Sequence, residues 1–266
     1  MDLIQKISNA LPDLLTEAGN IILSAHGVSG NISSKAGVGN WVTVFDTRVQ
    51  DFLITKLTEQ FPTATFIAEE KENQAASLQS ECCFVIDPID GTTNFIKNYH
   101  HSCISIAVFS YGEPIIGVVY DPYMGEVFMG IRGQGATCNG IPMHVSDTPL
   151  HDAVIAYGTA PYYREELADT TFALSKELFM ASADIRRCGS AALDLAYLAA
   201  GRNDGFYELR LSPWDYAAAY VLVTEAGGII SRMDGTPLNF TGTEPVIAGN
   251  AVLYRDLLAI TKKYCA

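Results

Sequence analysis

The apolar positions of the N-terminal part of the chain predict two helices with a loop between them. From residues 3 to about 25, apolar side chains recur every three to four positions, which is typical of an amphipathic helix lying on a sheet, and Pro12 is a point where it can kink. Residues 27–40 are rich in Gly and Ser and predict a loop. A second helix is expected from about 45 to 60, with Asp46 at its start.

Runs of apolar and β-branched residues then predict a group of strands. They lie at 65–68, 83–86, 102–109, 114–121 and 126–131. Turn-forming residues separate the last three runs, which predicts an antiparallel meander.

Beyond residue 150 the pattern alternates between strands and helices. Strands are expected near 154–157, 185–187, 205–208 and 245–248, and helices near 162–180, 190–201, 214–226 and 251–264. Such elements bury both of their faces when layers of helices and sheets alternate. We therefore expect a single layered α/β (α+β) domain over residues 1–266, with an α+β half to about 150 and an α/β half from about 151.

The charge is strongly acidic. Thirty acidic and 17 basic residues give a formal net charge of −13, which repels nucleic acid and anionic membranes at long range. The N-terminus lacks a basic start followed by an apolar run, and the chain has no window of about 18 uninterrupted apolar residues. We expect a cytoplasmic protein with neither a nucleic acid nor a membrane as its partner.

The cysteines stand at positions 82, 83, 103, 138, 188 and 265. They form no Cys-x-x-Cys pair with histidines beside it, which argues against a structural zinc site. We interpret them as reduced thiols of the core.

Carboxylates stand at the edges of apolar elements in three places. They are Glu69 and Glu70, then Asp87 and Asp90, and Asp215. Unpaired negative charge at the end of a buried strand costs a large desolvation energy, so a positive partner is expected there. Mg²⁺ prefers carboxylate and carbonyl oxygens, and the stiff turn at Pro88 allows the Ile89 carbonyl to point the same way as the two aspartates. The alternative is that Asp90 and Asp215 are only helix caps.

The residues after Asp90 add a site for an anion. Gly91-Thr92-Thr93 predicts a helix start, whose free N–H groups bind phosphate oxygens. Together with divalent cations this favours phosphate ester hydrolysis by direct attack of water. The alternatives are an ordinary turn at Gly91-Thr92, a phosphatase with an aspartyl nucleophile, or a non-catalytic scaffold. The aspartyl class carries Asp-x-Asp-Gly-Thr, whereas Asp87 and Asp90 are three residues apart.

Taken together, these segments resemble the inositol monophosphatase family of magnesium-dependent, lithium-sensitive phosphatases. The resemblance rests on Trp41-Val42-Thr43 with Asp46, Ala68-Glu69-Glu70, the nine residues from Asp87 to Phe95, Gly133-Gln134-Gly135-Ala136, Gly189-Ser190-Ala191-Ala192, and Trp214-Asp215 with Glu225-Ala226-Gly227-Gly228. It implies an alternating α-β-α-β-α sandwich of the inositol monophosphatase and fructose-1,6-bisphosphatase type. It also implies a homodimer and a small phosphorylated polyol or sugar as substrate.

The resemblance further implies a role for each matching residue. Glu69, Asp87 and the Ile89 carbonyl would hold one Mg²⁺, Asp87, Asp90 and Asp215 a second, and Glu69 would support a weaker third. Thr92, hydrogen-bonded to Asp46, would orient the attacking water with Glu69, and the amides of Gly91 and Thr92 would bind phosphate. Substrate contacts would come from Asp90, Gly189, Ser190, Ala191, Glu208 and Asp215.

The sequence does not identify the substrate. Inositol 1-phosphate is favoured, and the alternatives are fructose 1,6-bisphosphate, 3′-phosphoadenosine 5′-phosphate and histidinol phosphate. A second phosphate needs a fixed cation, for which the candidates are Arg164, Arg186, Arg187, Arg202 and Arg210. Lys35 matches a loop lysine that lies near the metals of family members. Without the resemblance, a lysine in a Gly- and Ser-rich loop is interpreted as a solvated side chain.

Overall fold

A computed structural model describes residues 3–25, 32–34, 41–70 and 77–264. The α-helices are α1 (Leu3–Leu23), α2 (Val44–Gln60), α3 (Thr92–Ile96), α4 (Arg164–Ala181), α5 (Ala191–Ala199), α6 (Pro213–Glu225) and α7 (Tyr254–Thr261). The strands of the first half are β1 (Ile32–Ser34), β2 (Trp41–Thr43), β3 (Thr65–Ala68), β4 (Cys83–Asp90), β5 (Cys103–Ser110), β6 (Glu113–Asp121), β7 (Glu126–Ile131), β8 (Gly135–Cys138) and β9 (Ile141–Met143). Those of the second half are β10 (Val154–Tyr157), β11 (Asp184–Arg186), β12 (Gly205–Leu211), β13 (Ile229–Arg232) and β14 (Glu244–Gly249).

Two large sheets organise these strands. The first runs β3-β4-β5-β6-β7-β8-β9, with β3 parallel to β4 and all its other pairs antiparallel. The second runs β11-β10-β12-β14-β13, in which β10 is parallel to both of its neighbours and β14 is antiparallel to both of its own. Strands β1 and β2 form a separate antiparallel pair.

The alternation of side chains along each strand produces three apolar cores. On β4, Phe84 and Ile86 pack with α1 and α2, whereas Cys83 and Val85 face α5 and α6 on the opposite side. On β12, Phe206 belongs to the same core as α5 and α6, while its neighbour Tyr207 packs with α4 and α7. The order of layers is therefore α1/α2, first sheet, α5/α6, second sheet, α4/α7, which confirms the expected α-β-α-β-α sandwich.

Helix α6 lies unusually close to the first sheet. A Cβ added to Gly117 of β6 would stand 2.0 Å from the carbonyl oxygen of Ala218, and one added to Gly130 of β7 would stand 3.2 Å from the backbone of Leu222. Only glycine leaves room for a helix backbone at this distance. This close approach fixes the height of α6 above the sheet, and with it the position of Asp215 in its first turn.

Strand β4 is longer than the sequence predicted. It was expected to end at Ile86, where the acids begin, but it continues to Asp90 because β5 supplies a partner for its backbone. Asp87 pairs with Ser105 and Asp90 with Cys103, and the register shifts between them, where Pro88 has no N–H to donate. The irregularity turns the two acids toward the same edge of the sheet.

Other element predictions need smaller corrections. Strands β2, β8, β9 and β13 were not predicted, and β12 continues past Glu208 to Leu211. The segment 27–40, predicted as a loop, contains β1. The other residues of this segment, among them Lys35, lie outside the described part of the chain. None of the helices in the described ranges is long and apolar enough to span a membrane.

Candidate active site

A cavity of about 640 Å³ opens where β4, β12 and the N-termini of α5 and α6 meet. Its wall includes every residue for which a metal, phosphate or substrate contact was predicted: Glu69, Asp87, Ile89, Asp90, Gly91, Thr92, Gly189, Ser190, Ala191, Glu208 and Asp215. Asp46 stands behind the wall, in contact with Thr92. The structure therefore gathers residues that are spread over nearly 150 positions of the chain.

Three aspartates form the acidic centre of this cavity. Asp87, Asp90 and Asp215 each offer a carboxylate oxygen, and these oxygens all lie within 4.8 Å of one another. Asp87 is only 1% exposed, and its Oδ1 accepts a hydrogen bond of 3.0 Å from the amide of Ile89. Glu69 directly follows β3 and lines the same cavity. Strand β3 is parallel to β4, so the residues that follow the two strands lie at the same edge of the sheet. The predicted convergence is thus present in the fold.

The electrostatics of this centre call for a cation. Burial, and then the charge of Glu69, raise the pKa of Asp87 well above its usual range, and burial followed by the charge of Asp90 does the same for Asp215. Burial also raises the pKa of Asp90 to about 6. Within the described part of the chain, no lysine or arginine forms a salt bridge with these three aspartates. Closely spaced oxygen donors with excess negative charge fit Mg²⁺.

Asp90 is anchored to the start of α5. Its Oδ2 accepts hydrogen bonds from the Ser190 hydroxyl, at 2.6 Å, and from the Ala192 amide, at 2.7 Å. Ser190 is the N-cap of α5, and its hydroxyl oxygen also accepts a weaker bond from the amide of Leu193. The loop predicted to contact substrate is therefore joined to a predicted metal ligand.

Asp215 is both a helix cap and a member of the acidic centre. It occupies the third position of α6, and its Oδ2 accepts a hydrogen bond of 2.7 Å from the amide of Ser212. The hydroxyl of Ser105 on β5 donates to the carbonyl oxygen of Trp214 at 3.2 Å, which ties the helix start to the first sheet. The capping alternative is thus correct as a structural description and does not exclude a metal-binding role.

Thr92 connects the cavity wall to Asp46. Its Oγ1 lies 3.1 Å from the carbonyl oxygen of Ile89 and 3.3 Å from Oδ1 of Asp46. Asp46 is fully buried, and its other oxygen accepts hydrogen bonds from the amide and hydroxyl of Thr43, at 2.8 and 2.6 Å, in the capping box of α2. Burial raises the pKa of Asp46 in spite of these bonds. The hydrogen bonds hold the Asp46 carboxylate where Thr92 reaches it.

Gly91 has a conformation that no other residue could adopt without strain. Its φ is +89°, and an added Cβ would lie 3.0 Å from the carbonyl oxygen of His101 and 3.2 Å from that of Gly189. This turn directs the chain from β4 into the five-residue helix α3. Gly91 and Thr92 therefore line the cavity beside the aspartates, and the amide of Gly91 contacts Asp90.

Glu208, which the resemblance implies as a substrate contact, is buried at the wall of the cavity. It is 7% exposed, and its Oε1 accepts a hydrogen bond of 2.8 Å from the amide of Ala160. Burial raises its pKa to about 7. Gly158 makes room for it, because a Cβ there would stand 1.8 Å from Oε2 of Glu208. Only the tertiary structure shows this environment.

The five candidate arginines separate into two groups. Arg186 and Arg202 form salt bridges with Asp184 and Glu126 and do not line the cavity. The cavity-lining arginines are Arg164, Arg187 and Arg210. Of these, Arg210 forms a bidentate pair with Glu166, and Arg187 donates to the neutral hydroxyl of Thr159 at 3.1 Å.

Several residues of the cavity wall were not predicted from the sequence. Trp41, Tyr162, Asp194 and Thr243 also line the cavity. Asp194 carried a usable signal, because it is a lone acid within the apolar helix α5. Tyr162 carried none, since it reaches the site through the short 3₁₀ helix Pro161–Tyr163, which the sequence analysis placed inside a longer α-helix.

Comparisons with known proteins point to one family. The model of the inositol monophosphatase family matches residues 3–265. Nus factor SuhB of Salmonella typhimurium is 41% identical over 244 residues, which cover 91% of each chain, and the inositol-1-monophosphatase of Mesorhizobium japonicum is 36% identical over 257 residues, 96% of each chain.

Solved structures agree with these relatives. The extragenic suppressor protein SuhB of Bartonella henselae has a TM-score of 0.89 at 34% identity and covers 97% of this chain and 98% of its own. An IMPase/NADP phosphatase in complex with Mg²⁺ and phosphate has a TM-score of 0.84 at 28% identity, over 97% and 96% of the two chains.

Proposed function

From the premise that this chain belongs to the inositol monophosphatase family and is a phosphomonoesterase of that family, we propose that it hydrolyses inositol 1-phosphate or a similar monophosphate of a small polyol or sugar, with Mg²⁺ as its cofactor. The observation that carries the proposal is the acidic centre, in which the carboxylates of Asp87, Asp90 and Asp215 lie within 4.8 Å of one another without a basic partner in the described chain. Such a group of carboxylates is stable in its fully ionised form only with cations bound to it.

The assignment of metal ligands follows the positions of the donors. Glu69, Asp87 and the carbonyl of Ile89 would hold one ion, and Asp87, Asp90 and Asp215 a second, with Asp87 shared. A third, weaker ion would depend on Glu69. When bound, Mg²⁺ neutralises the charge of the phosphate and lowers the pKa of a water molecule. The Mg²⁺ and phosphate of a solved structural neighbour support this choice of ion.

Thr92 is placed to orient the attacking water. Its hydroxyl proton points to Asp46 Oδ1 or to the Ile89 carbonyl, so a lone pair of Oγ1 remains to accept a hydrogen bond from water in the cavity. Glu69 accepts a second hydrogen bond from the same water. These two contacts select the direction of attack on phosphorus, and the amides of Gly91 and Thr92 bind the phosphate oxygens on the other side.

The far wall of the cavity would hold the alcohol part of the substrate. Oε1 of Glu208 is occupied by the Ala160 amide, which leaves Oε2 to accept from a substrate hydroxyl. Asp90 and Asp215 offer further acceptors, and the backbone at Gly189, Ser190 and Ala191 completes this wall. A wall rich in acceptors fits a polyol, which presents several hydroxyl donors.

The candidate substrates differ in their need for a cation. Arg210 is paired with Glu166, whereas Arg187 forms no salt bridge in the described chain and donates to Thr159, with the charges of Glu208 and Asp194 nearby. Arg187 is therefore a residue that a second phosphate could contact, and it keeps fructose 1,6-bisphosphate and 3′-phosphoadenosine 5′-phosphate as alternatives. A monophosphate remains the first choice because Asp90, Glu208 and Asp215 also line the cavity and disfavour a second phosphate near them.

A panel of inositol 1-phosphate, fructose 1,6-bisphosphate, 3′-phosphoadenosine 5′-phosphate and histidinol phosphate tests the proposal. We expect phosphate release with Mg²⁺, none with EDTA, and the highest kcat/KM on inositol 1-phosphate, together with inhibition by Li⁺. Arg187→Ala should lower activity only on the substrates with two phosphates. Inactivity on all four substrates with Mg²⁺ would contradict the proposal. Retention of configuration at phosphorus, or a trapped aspartyl phosphate, would favour the aspartyl-nucleophile class.

A second candidate comes from the relative named Nus factor SuhB, which is 41% identical to this chain. In that case the protein would act as a Nus factor, either beside or instead of its catalysis. The two roles separate experimentally, because a variant without its metal ligands keeps any role that rests on the surface alone. The intact carboxylate set favours catalysis.

We also propose that the protein is a cytoplasmic homodimer. The dimer is supported by the resemblance to the family. The described cysteines are all free thiols, which fits a reducing compartment. Sedimentation equilibrium should give about twice the mass of the chain, and the mass of a single chain would contradict the dimer.

A further inference from the structure

A second cluster of ligand-type side chains lies next to the cavity and has no place in the proposed reaction. His101 precedes β5, Cys188 lies in the turn before α5, and Asp194 is in the first turn of α5. Each offers one ligand atom, and these atoms all lie within 4.8 Å of one another. The cluster joins segments that are separated by nearly 90 residues, so no short spacing motif in the sequence predicts it.

Two buried polar atoms in this cluster lack a hydrogen bond. Within the described chain, Nε2 of His101 and Oδ1 of Asp194 are buried and have no partner. Asp194 is 1% exposed and is the only charged residue of the apolar helix α5. An unsatisfied buried polar atom costs about 1–3 kcal/mol, and two such atoms in one cluster suggest a ligand that both can bind.

Hydrogen bonds to the backbone hold the segments of the cluster together, and a side-chain hydrogen bond also joins Cys188 to Asp194. Nδ2 of Asn94 donates to the carbonyl oxygen of His101 at 2.8 Å and to that of Cys188 at 2.9 Å. The loop before β5 and the turn before α5 are therefore fixed relative to each other. A site that is pre-organised in this way needs little rearrangement to bind an ion.

We infer that His101, Cys188 and Asp194 form a second metal site, selective for Zn²⁺ or a similar borderline transition metal. The donors are one nitrogen, one sulfur and one oxygen, which is a set that Zn²⁺ binds, whereas Mg²⁺ prefers oxygen alone. Three protein ligands leave a fourth position of a tetrahedral ion free. Asp194 also lines the 640 Å³ cavity, so an ion at this site is next to the proposed phosphatase centre.

The three groups differ in how close they are to the protonation state that a metal requires, because burial raises the pKa of the Cys188 thiol to about 12. Desolvation lowers the pKa of His101, which favours the neutral imidazole that a metal requires. Binding would remove the proton of the Cys188 thiol, and thiolate and carboxylate then balance the charge of the ion. Burial raises the pKa of Asp194 well above its usual range, and a cation beside it would reverse this shift. The inference does not depend on the proposed reaction or its substrate.

Occupancy of this site should stiffen the segment that positions Asp90. Ser190 and Ala192, whose hydroxyl and amide bind Asp90, lie between Cys188 and Asp194 in the chain. A metal that links Cys188 and Asp194 to His101 would clamp both ends of this segment. We expect its first effect to be on stability.

The test is binding of Zn²⁺ and Co²⁺ to the full-length protein in the presence of excess Mg²⁺. We expect about one Zn²⁺ per chain by calorimetry, a higher Tm, and a thiolate-to-cobalt charge-transfer band in the absorption spectrum with Co²⁺. Cys188→Ser and His101→Gln should each weaken Zn²⁺ binding by at least about tenfold. Cys188→Ser should also abolish the cobalt band. Circular dichroism confirms that each variant is folded.

Matched controls exclude other thiols and the carboxylate centre. Cys138→Ser changes a half-buried thiol outside the cluster, and His151→Gln an exposed histidine, and both should bind as the wild type does. Asp87→Asn should keep the cobalt band, because it alters only the proposed magnesium site. Absence of the band in the wild type, its persistence in Cys188→Ser, or its loss in Asp87→Asn would each overturn the inference.

Discussion

The hydroxyl of Ser190 donates a hydrogen bond of 2.6 Å to Oδ2 of Asp90, across 100 residues of sequence. This contact joins the end of β4, in the first sheet, to the N-cap of α5, in the middle helical layer. The hydrogen bond thereby couples the acidic centre to the loop that faces the substrate. A substitution in this loop should therefore change metal binding at the acidic centre.

Ser190→Ala tests this coupling. The variant loses the N-cap of α5 and should be less stable by about 1 kcal/mol. Asp90 keeps only the bond from the Ala192 amide, so we expect kcat to fall and the Mg²⁺ concentration for half-maximal activity to rise. Ser190→Thr retains a hydroxyl and should restore both values. Unchanged Mg²⁺ dependence in Ser190→Ala would show that the two sites act separately.

Asp90→Asn removes a negative charge from the acidic centre with little change in shape. The amide oxygen of Asn can still accept from Ser190 and Ala192, so the variant should fold with a Tm near that of the wild type. Loss of a metal ligand should lower turnover by orders of magnitude. Phosphate release at saturating Mg²⁺ measures this, with the exposed Asp152→Asn as the control. Wild-type turnover in Asp90→Asn would refute the metal mechanism.

Thr92→Val keeps the shape of the side chain and removes the hydroxyl that bridges Asp46 and the cavity. If this hydroxyl orients the attacking water, kcat should fall by roughly 10²–10⁴, with a much smaller change in KM. Thr92→Ser should recover most of the activity, because it retains the hydroxyl. A rise in KM with an unchanged kcat would instead show that Thr92 acts only in substrate binding.

Gly158→Ala tests the burial of Glu208. The added Cβ would overlap the carboxylate, whose Oε2 stands 1.8 Å from that position, so Glu208 must move. We expect a loss of about 1–3 kcal/mol in the free energy of unfolding and a higher KM for a polyol phosphate. Gly242→Ala is the matched control, because an added Cβ there meets no atom within 4 Å. Equal effects of the two substitutions would rule out a specific contact with Glu208.

The raised pKa of Glu208 predicts a pH-dependent stability. In the fold its pKa is about 7, above its ordinary value of 4.5, so the protonated form is favoured by folding. The stabilisation is fully present below about pH 4.5 and is lost as the pH rises through 7, a change of about 3 kcal/mol. Urea unfolding from pH 4.5 to 8 should show this loss in the wild type relative to Glu208→Gln. Parallel curves for the two proteins would contradict the buried environment of Glu208.

The sequence predicts where strands lie better than it predicts where they end or which residues other segments cover. The strand predicted at 65–68 is present as β3, and the meander appears as β5, β6 and β7 within one residue of the expected bounds. By contrast, β4 was predicted to end before Asp87, because polarity marks strand ends only when no neighbouring strand supplies a partner. The burial of Glu208 was not predicted for a similar reason, since the sequence does not show which loop will cover a strand.

The sequence alone determined the layered architecture, the acids at element ends, the resemblance to a phosphatase family and most members of the candidate site. These features follow from periodicity and motif, which act over a few residues and report what each segment buries. The resemblance implied that Asp215 lies beside Asp87, but only the tertiary structure decided that Glu208 is buried and that His101 meets Cys188 and Asp194. Such distances depend on how closely α5 and α6 pack between two sheets, which is a property of side-chain volumes across the whole core.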